Sequence, residues 1–386
     1  MNIINEFNKD FAELCEWRHY LHQIPETGFD LKMTRQFIIN KLNEWDINVD
    51  TRFGINGVVA IINGTQSGSR SIAFRIDMDA LPQDDESKKE YASKNAGCSH
   101  ACGHDGHITI GLAAARYLSQ HRDFPGRVIF IFQPAEEIGQ GAKKMIEDGI
   151  FEAWPYDEIY GFHNMPRLPA NTLALCHGAI TGASDRFSLS VTGRGGHSSI
   201  PHLSINPVNL ISQIITAWQS VISDSVPATE MGVLCVTKVH AGDTYNAIPE
   251  SAEAGGTIRY FKKNIRAIIK NKMHKLATAV AESYGGSVSL QFEELCPATI
   301  NTEKQTNYVS SIAKEIFGED NVNTNVTPSP GGEDMSWFIK NDKVGCCYFM
   351  IGSEGSNLHT SDFDFDDTII PVTASMLVKI VNRQAK

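Results

Sequence analysis

Residues 127–137 read Arg-Val-Ile-Phe-Ile-Phe-Gln-Pro-Ala-Glu-Glu. The apolar run from Val128 to Phe132 is short, β-branched and aromatic, which is the signature of a buried strand. It stops abruptly at Gln133, Pro134 and Ala135, and two carboxylates follow, Glu136 and Glu137. The same pattern stands twice more in the chain. Ser71 to Ile76 runs into Asp77, Met78 and Asp79, and Glu158 to Phe162 runs into His163. Polar residues able to hold a ligand therefore sit just past three apolar strands.

Working outward, a further strand is expected over Val58 to Ile62, with helices over Ile108 to Gln120 and Ala142 to Glu147. Strands alternating with helices imply an α/β fold with a mainly parallel central sheet covered on both faces. In such sheets ligands bind beyond the carboxyl ends of the strands, where the acidic and histidine residues fall. Ahead of the sheet, Ile4, Phe7, Phe11, Leu14, Trp17 and Leu21 predict one amphipathic helix that stops at Pro25, and a second spans about Leu31 to Trp45. From about Ser184 the order changes to strand (Phe187 to Val191), helix (Pro207 to Val221), strand (Val233 to Val239), strand (Ala252 to Tyr260), helix (Ile265 to Tyr284) and strand (Ser287 to Phe292). That βαββαβ order is the ferredoxin-like split unit. The alternation resumes near Pro297, with a helix around Asn307 to Phe317, another after Gly332, a strand over Val344 to Ile351 and a final helix near Thr373 to Val381. The expected organisation is a main domain in two parts, 1–183 and 297–386, interrupted by a smaller domain over 184–296. Residues 182–296 carry 10 basic and 9 acidic side chains, so the chain's net charge of -11 lies outside the insert.

The chain has 386 residues, 42% of them hydrophobic, which is ample for a core and too long for one small module. An acidic balance of 45 to 34 and no basic run argue against nucleic acid or an anionic membrane as partner. The opening residues lack the basic flank and apolar core of a secretory signal, and no stretch approaches 18 apolar residues, so a cytoplasmic protein is expected. The scatter of the eight cysteines suits reduced thiols better than a disulfide framework.

Residues 98–107, Cys-Ser-His-Ala-Cys-Gly-His-Asp-Gly-His, pack two cysteines and three histidines into ten positions. Such density favours a metal. A closed structural zinc site would need a second Cys or His pair at matching spacing, and none follows. Further candidates fall far away in sequence: Glu136, Glu137, His163 and His359. The adjacent carboxylates also suit a solvated helix start, where negative charge favours the dipole. In a metal site one of the pair can ligate while its neighbour serves as general base.

Ten blocks in order carry a resemblance across nearly the whole chain: RHYLHQIPETGFD (18–30), RIDMDALP (75–82), HACGHDGH (100–107), QPAEE (133–137), GFHNMP (161–166), GRGGHSSIPH (193–202), YNAIPE (245–250), GGTIRYF (255–261), GGEDMSWF (331–338) and LHTSDFDF (358–365). With these the sequence resembles the aminoacylase and carboxypeptidase group of co-catalytic metallohydrolases, in particular its hippurate hydrolase and indole-acetyl-amino-acid hydrolase branch. The resemblance implies a zinc-exopeptidase-like catalytic domain and a lid and dimerisation domain in the insert. It makes Cys102, His104, Glu137, His163 and His359 the ligands of two divalent metal ions, Mn2+ or Zn2+, with Glu136 as base and Asp79 as a carboxylate that orients a ligand. His107 and His100 would support the site without ligating. His197 would reach a neighbouring subunit's active site and stabilise the tetrahedral intermediate, and Asn246 and Arg259 would hold the substrate's free carboxylate. Without the resemblance, His197 reads equally as a loop histidine and Arg259 as a strand-end cation paired to some carboxylate. GGED, HSS and LHTSD depart from the usual family patterns, but none removes a ligand.

The expected activity is metal-dependent hydrolysis of the amide of an N-acyl or N-aroyl amino acid by a homodimer or dimer-based oligomer. The alternatives are a dipeptidase or N-acetyl amino acid deacetylase of the same family, and a catalytically silent metal-binding homologue. An intact Glu136 argues against the last.

Overall fold

The computed structural model describes residues 3–339 and 344–382. The chain divides into two compact units. Thr181–Ala298 together with Ser329–Glu333 form the smaller one, and the rest of the described chain forms the larger.

The larger unit is built on an eight-stranded mixed sheet. Its centre is four parallel strands in the order Pro125–Gln133, Gln66–Asp77, Glu158–Met165 and Gly345–Gly352. Antiparallel neighbours flank them: Val58–Asn63, then Asn48–Asp50, on one side, and Leu173–Ala174 on the other. Asn63 and Gln66 are too close in sequence for a crossover connection, so the chain must reverse there, and Val58–Asn63 runs antiparallel to Pro125–Gln133.

The unbroken apolar run of the central strand follows from burial on both faces. Val128, Phe130 and Phe132 enter one core with Phe74, Tyr160 and the helices Phe11–Gln23, His104–Gln120 and Ile369–Asn382. Ile129 and Ile131 enter the other, with Ala73, Ile159, Met145 and Phe338. Successive side chains of a strand point to opposite faces, so a two-faced strand needs apolar residues at every position.

Some elements differ from the sequence reading. The first helix is two, Ile3–Lys9 and Phe11–Gln23, broken at Asp10, whose carboxylate turns aside to pair with Arg116 at 2.6 Å. The helix expected after Gly332 is a short 3-10 turn, Asp334–Ile339. The helix expected from Ile108 begins at His104, so the end of the His- and Cys-rich stretch makes its first turn. No described helix is long and apolar enough to cross a membrane.

In the smaller unit a four-stranded antiparallel sheet has the order Gly232–His240, Ser251–Tyr260, Ala183–Thr192 and Ser287–Cys296. This is the ferredoxin-like arrangement. Helices Pro207–Trp218 and Lys263–Ser283 cover one face, burying Phe187, Leu189 and Val191 against Ile214, Trp218 and Ile269. Residues 329–333 join this unit because Gly182 donates to the Gly331 carbonyl at 2.8 Å and Thr181 bridges to Ser329.

Candidate metal centre

The strand Gln66–Asp77 ends in Asp77, Pro125–Gln133 ends in Gln133, and Glu158–Met165 carries His163 near its end. These are the carboxyl ends of parallel strands, where open α/β sheets place their ligands. Gly103 precedes the helix His104–Gln120 in the left-handed region, φ 89°, and a Cβ there would meet Asn164 Oδ1 at 2.6 Å. Only glycine permits that close turn into the helix.

The side chains meet above it. Cys102 Sγ lies 3.3 Å from His163 Nε2. The ligand-capable atoms of Cys102, His104 and His163 lie within 4.8 Å of one another, as do those of Cys102, Glu137 and His359, and those of His104, Glu136 and Glu137. Shared members join all six residues into one cluster, with Cys102 common to an imidazole-rich half and a half holding Glu137 and His359.

Hydrogen bonds turn the imidazoles toward that cluster. His104 Nδ1 donates to the backbone oxygen of Asp79 at 2.8 Å, and His163 Nδ1 donates to the Asn164 carbonyl at 2.7 Å. Each ring thereby keeps an Nε2 lone pair for the interior. Burial holds His163 neutral, its pKa lowered to about 3. At His104 burial also disfavours the cation, but Asp77, Asp79 and Glu137 outweigh it and raise the pKa to about 10. The carboxylates thus create a demand for positive charge at His104 Nε2. Burial and the neighbouring carboxylates push the Cys102 thiol well above its ordinary value, so only a cation can draw it into thiolate form.

The donor set fits divalent metal. His104 Nε2 and Glu137 Oε1 are buried with no hydrogen-bond partner among the described residues, a cost that a shared cation would remove. Thiol, imidazole and carboxylate together suit zinc and its first-row neighbours. His359 completes the rim, its Nε2 3.6 Å from Glu137 Oε2, on a backbone in the left-handed region at φ 64°. Such a conformation is uncommon outside glycine and is anchored here by the His359 amide donating to the Ala101 carbonyl at 2.7 Å.

Asp79 works through its carboxylate as well as its carbonyl. The Glu136 and Glu137 amides donate to its two oxygens at 2.9 and 3.1 Å. His107 has both ring nitrogens engaged, Nδ1 with Asp77 at 2.5 Å and Nε2 with Asn164 Oδ1 at 2.8 Å. His100 is buried with both nitrogens lacking hydrogen-bond partners among the described residues, and burial lowers its pKa to about 3.

Residues to which the sequence reading gave no role lie beneath the cluster. Arg75 reaches Asp77 at 2.5 Å, Asp334 at 2.9 Å and Gln133 Oε1 at 2.8 Å, all buried. A charged residue inside an otherwise apolar strand was the available signal, since a buried guanidinium requires carboxylate partners.

His197, Asn246 and Arg259 belong to the smaller unit. His197 pairs with Ala247 in a two-stranded ribbon, and the Ser198 amide donates to the Asn246 carbonyl at 3.1 Å, so His197 and Asn246 are neighbours. The Ser199 amide donates to His197 Nδ1 at 3.1 Å, which puts the proton of the neutral ring on Nε2. Arg259 donates to the Pro330 carbonyl at 3.2 Å, and no carboxylate pairs with it among the described residues.

A family model described as Peptidase family M20/M25/M40 matches residues 73–383. The chain is 35% identical to a hippurate hydrolase of Campylobacter jejuni subsp. jejuni, with 100% of each chain covered. It is 34% identical to an N-acetylcysteine deacetylase of Bacillus subtilis, with 96% of each covered. Among solved structures, the Bacillus subtilis YXEP protein, described as a dinuclear metal binding peptidase from the M20 family, superposes with a TM-score of 0.85 at 31% identity, covering 97% of this chain and 98% of that one.

Proposed function

The chain belongs to peptidase family M20/M25/M40, and on that premise we propose that it is a metal-dependent amidohydrolase cleaving N-acyl and N-aroyl amino acids to a carboxylic acid and a free amino acid. The observation that carries this reading is the convergence of Cys102, His104, Glu137, His163 and His359 around two buried donor atoms without hydrogen-bond partners among the described residues. These five residues would hold two divalent ions. Metal bound there supplies Lewis acidity and makes water a usable nucleophile near neutral pH.

The chain's own groups do the rest. Glu136, held beside Glu137 by Asp79, takes the proton of the attacking water and passes it to the leaving amine. His197 presents an Nε2–H donor to the oxyanion that develops on the substrate carbonyl, supplied to the active site of a partner subunit in a dimer. Arg259, free of a carboxylate partner among the described residues, and Asn246 bind the substrate's carboxylate. Zn2+ suits the thiol and imidazoles, and Mn2+ is the alternative where supply favours it. A cytoplasmic location accords with reduced cysteines.

A panel of hippurate, N-acetyl amino acids and dipeptides, run with Mn2+ and with Zn2+, tests the reading. Hippurate and related N-aroyl amino acids should give the highest kcat/KM, and chelation should abolish turnover until metal is restored. A preference for N-acetyl amino acids would move the assignment to a deacetylase, a reading that the likeness to the N-acetylcysteine deacetylase favours. Full turnover by protein shown to be metal-free would overturn the mechanism.

A further inference from the structure

We propose that Asp334 is a positioning residue, whose buried carboxylate ties together both ends of the loop that presents Glu136 and Glu137. The loop leaves the sheet at Gln133 and ends in the helix Gly141–Glu147. At its start, Gln133 Nε2 donates to Asp334 Oδ1 at 2.7 Å. At its end, the Ala142 amide donates to Asp334 Oδ2 at 3.0 Å. Arg75 neutralises the carboxylate, with Nη2 2.9 Å from Oδ1, and fixes Gln133 as well by donating from Nε to its Oε1 at 2.8 Å.

The two ends are pressed together. An added Cβ at Gly141 would fall 1.5 Å from the Pro134 carbonyl oxygen, so backbone lies on backbone there. Between the ends, Ala135 takes a left-handed φ of 55°, and its carbonyl accepts from the Gln140 and Gly141 amides at 3.2 and 3.1 Å. Asp79 holds the middle through the Glu136 and Glu137 amides. The loop is therefore pinned by two carboxylates, one at its middle and one at its closure. Asp334 is itself fixed relative to the strand carrying His163, because Met335 packs into the space that a Cβ on Gly161 would occupy, 2.2 Å from the Met335 sulfur. Asp334 thus sets where Glu136 and Glu137 stand relative to the histidines without touching substrate.

This inference rests on reading Glu136 as the base and Glu137 as a metal ligand. Asp334→Asn keeps the shape but replaces an acceptor oxygen by an NH2, which must face a donor on Gln133, Ala142 or Arg75. The full-length holoenzyme variant should lose about tenfold or more in kcat with KM changed less than about twofold. It should also give up metal at about tenfold lower chelator concentration, and the Glu136, Glu137 and Ala142 amides should exchange hydrogen faster. In a Glu136→Gln background the same change should cost less than about twofold more, because its target is already gone. Unchanged loop exchange, or the same kcat loss in both backgrounds, would overturn the proposal. If Asp334→Asn fails to fold, Gln133→Met removes one of the two ties and is read by the same measurements. Should Glu136→Gln alone retain full activity, the base assignment fails, while loop exchange still decides the role of Asp334.

Discussion

In the proposed reading Glu136 and Glu137, neighbours in the chain, take opposite tasks, base and ligand, and the backbone around them lets their side chains part. Asp79 accepts both amides, and left-handed Ala135 turns the chain just before them. Glu137 is largely buried, and burial raises its pKa, while His104 and His359 pull it back toward the anion. Replacing Glu136 by Gln should leave two metal ions per chain and lower kcat by about a hundredfold or more, the scale of a general base. Glu137→Gln should lose metal. Metal analysis alongside kcat decides between them, and exchanged phenotypes would reverse the assignment. The candidate ligands were legible in sequence because Cys, His and paired carboxylates past strand ends announce their chemistry. Asn164 and Asp334 were not: each is tied by hydrogen bonds to residues 57 and 201 positions away, and a loop or strand-end Asn or Asp carries no sign of such a partner.

At the level of elements, the strands and their polar ends followed from unbroken apolar runs, and the βαββαβ order from alternation. The antiparallel flanks and the break at Asp10 did not, since strand direction depends on a link of two residues and the apolar spacing runs through Asp10 without marking a break. Helix Phe11–Gln23 is tied to helix His104–Gln120 by a buried network that periodicity could not show. His22 Nδ1 lies 2.7 Å from Asp105 and its Nε2 3.2 Å from Asp85, with Arg18 beside Asp105 at 3.8 Å. Burial disfavours the imidazolium, but Asp105 and Asp85 outweigh it and raise His22 from 6.5 to about 9. A folded value above the unfolded one means that this stabilisation is fully present below pH 6.5 and is lost as pH rises through 9. Its size is about 3 kcal/mol at most by linkage. The Tm difference between the native chain and His22→Asn should therefore be widest near pH 6 and shrink by pH 10. A gap independent of pH across that interval would show that His22 packs there as a neutral ring.

For the whole molecule, the distribution of residues between the two units raises the question of where a complete active site is assembled. The candidate metal cluster and Glu136 belong to the larger, acidic unit, while His197, Asn246 and Arg259 belong to the smaller, nearly neutral one. If His197 serves a partner subunit, an active site needs Glu136 from one chain and His197 from the other. Homodimers of His197→Ala and of Glu136→Gln should each be nearly inactive. A mixed dimer gathers both lesions into one site and leaves the other whole. When equal amounts are unfolded and refolded together, random pairing makes about half the dimers mixed, each with one intact site, so about a quarter of full activity should return in a two-fold isologous dimer. Differential tags on the two variants confirm that mixed dimers form. With those present, a lasting absence of recovery would mean that His197 acts within its own chain or not at all, because only service in trans lets two dead chains complete one working site.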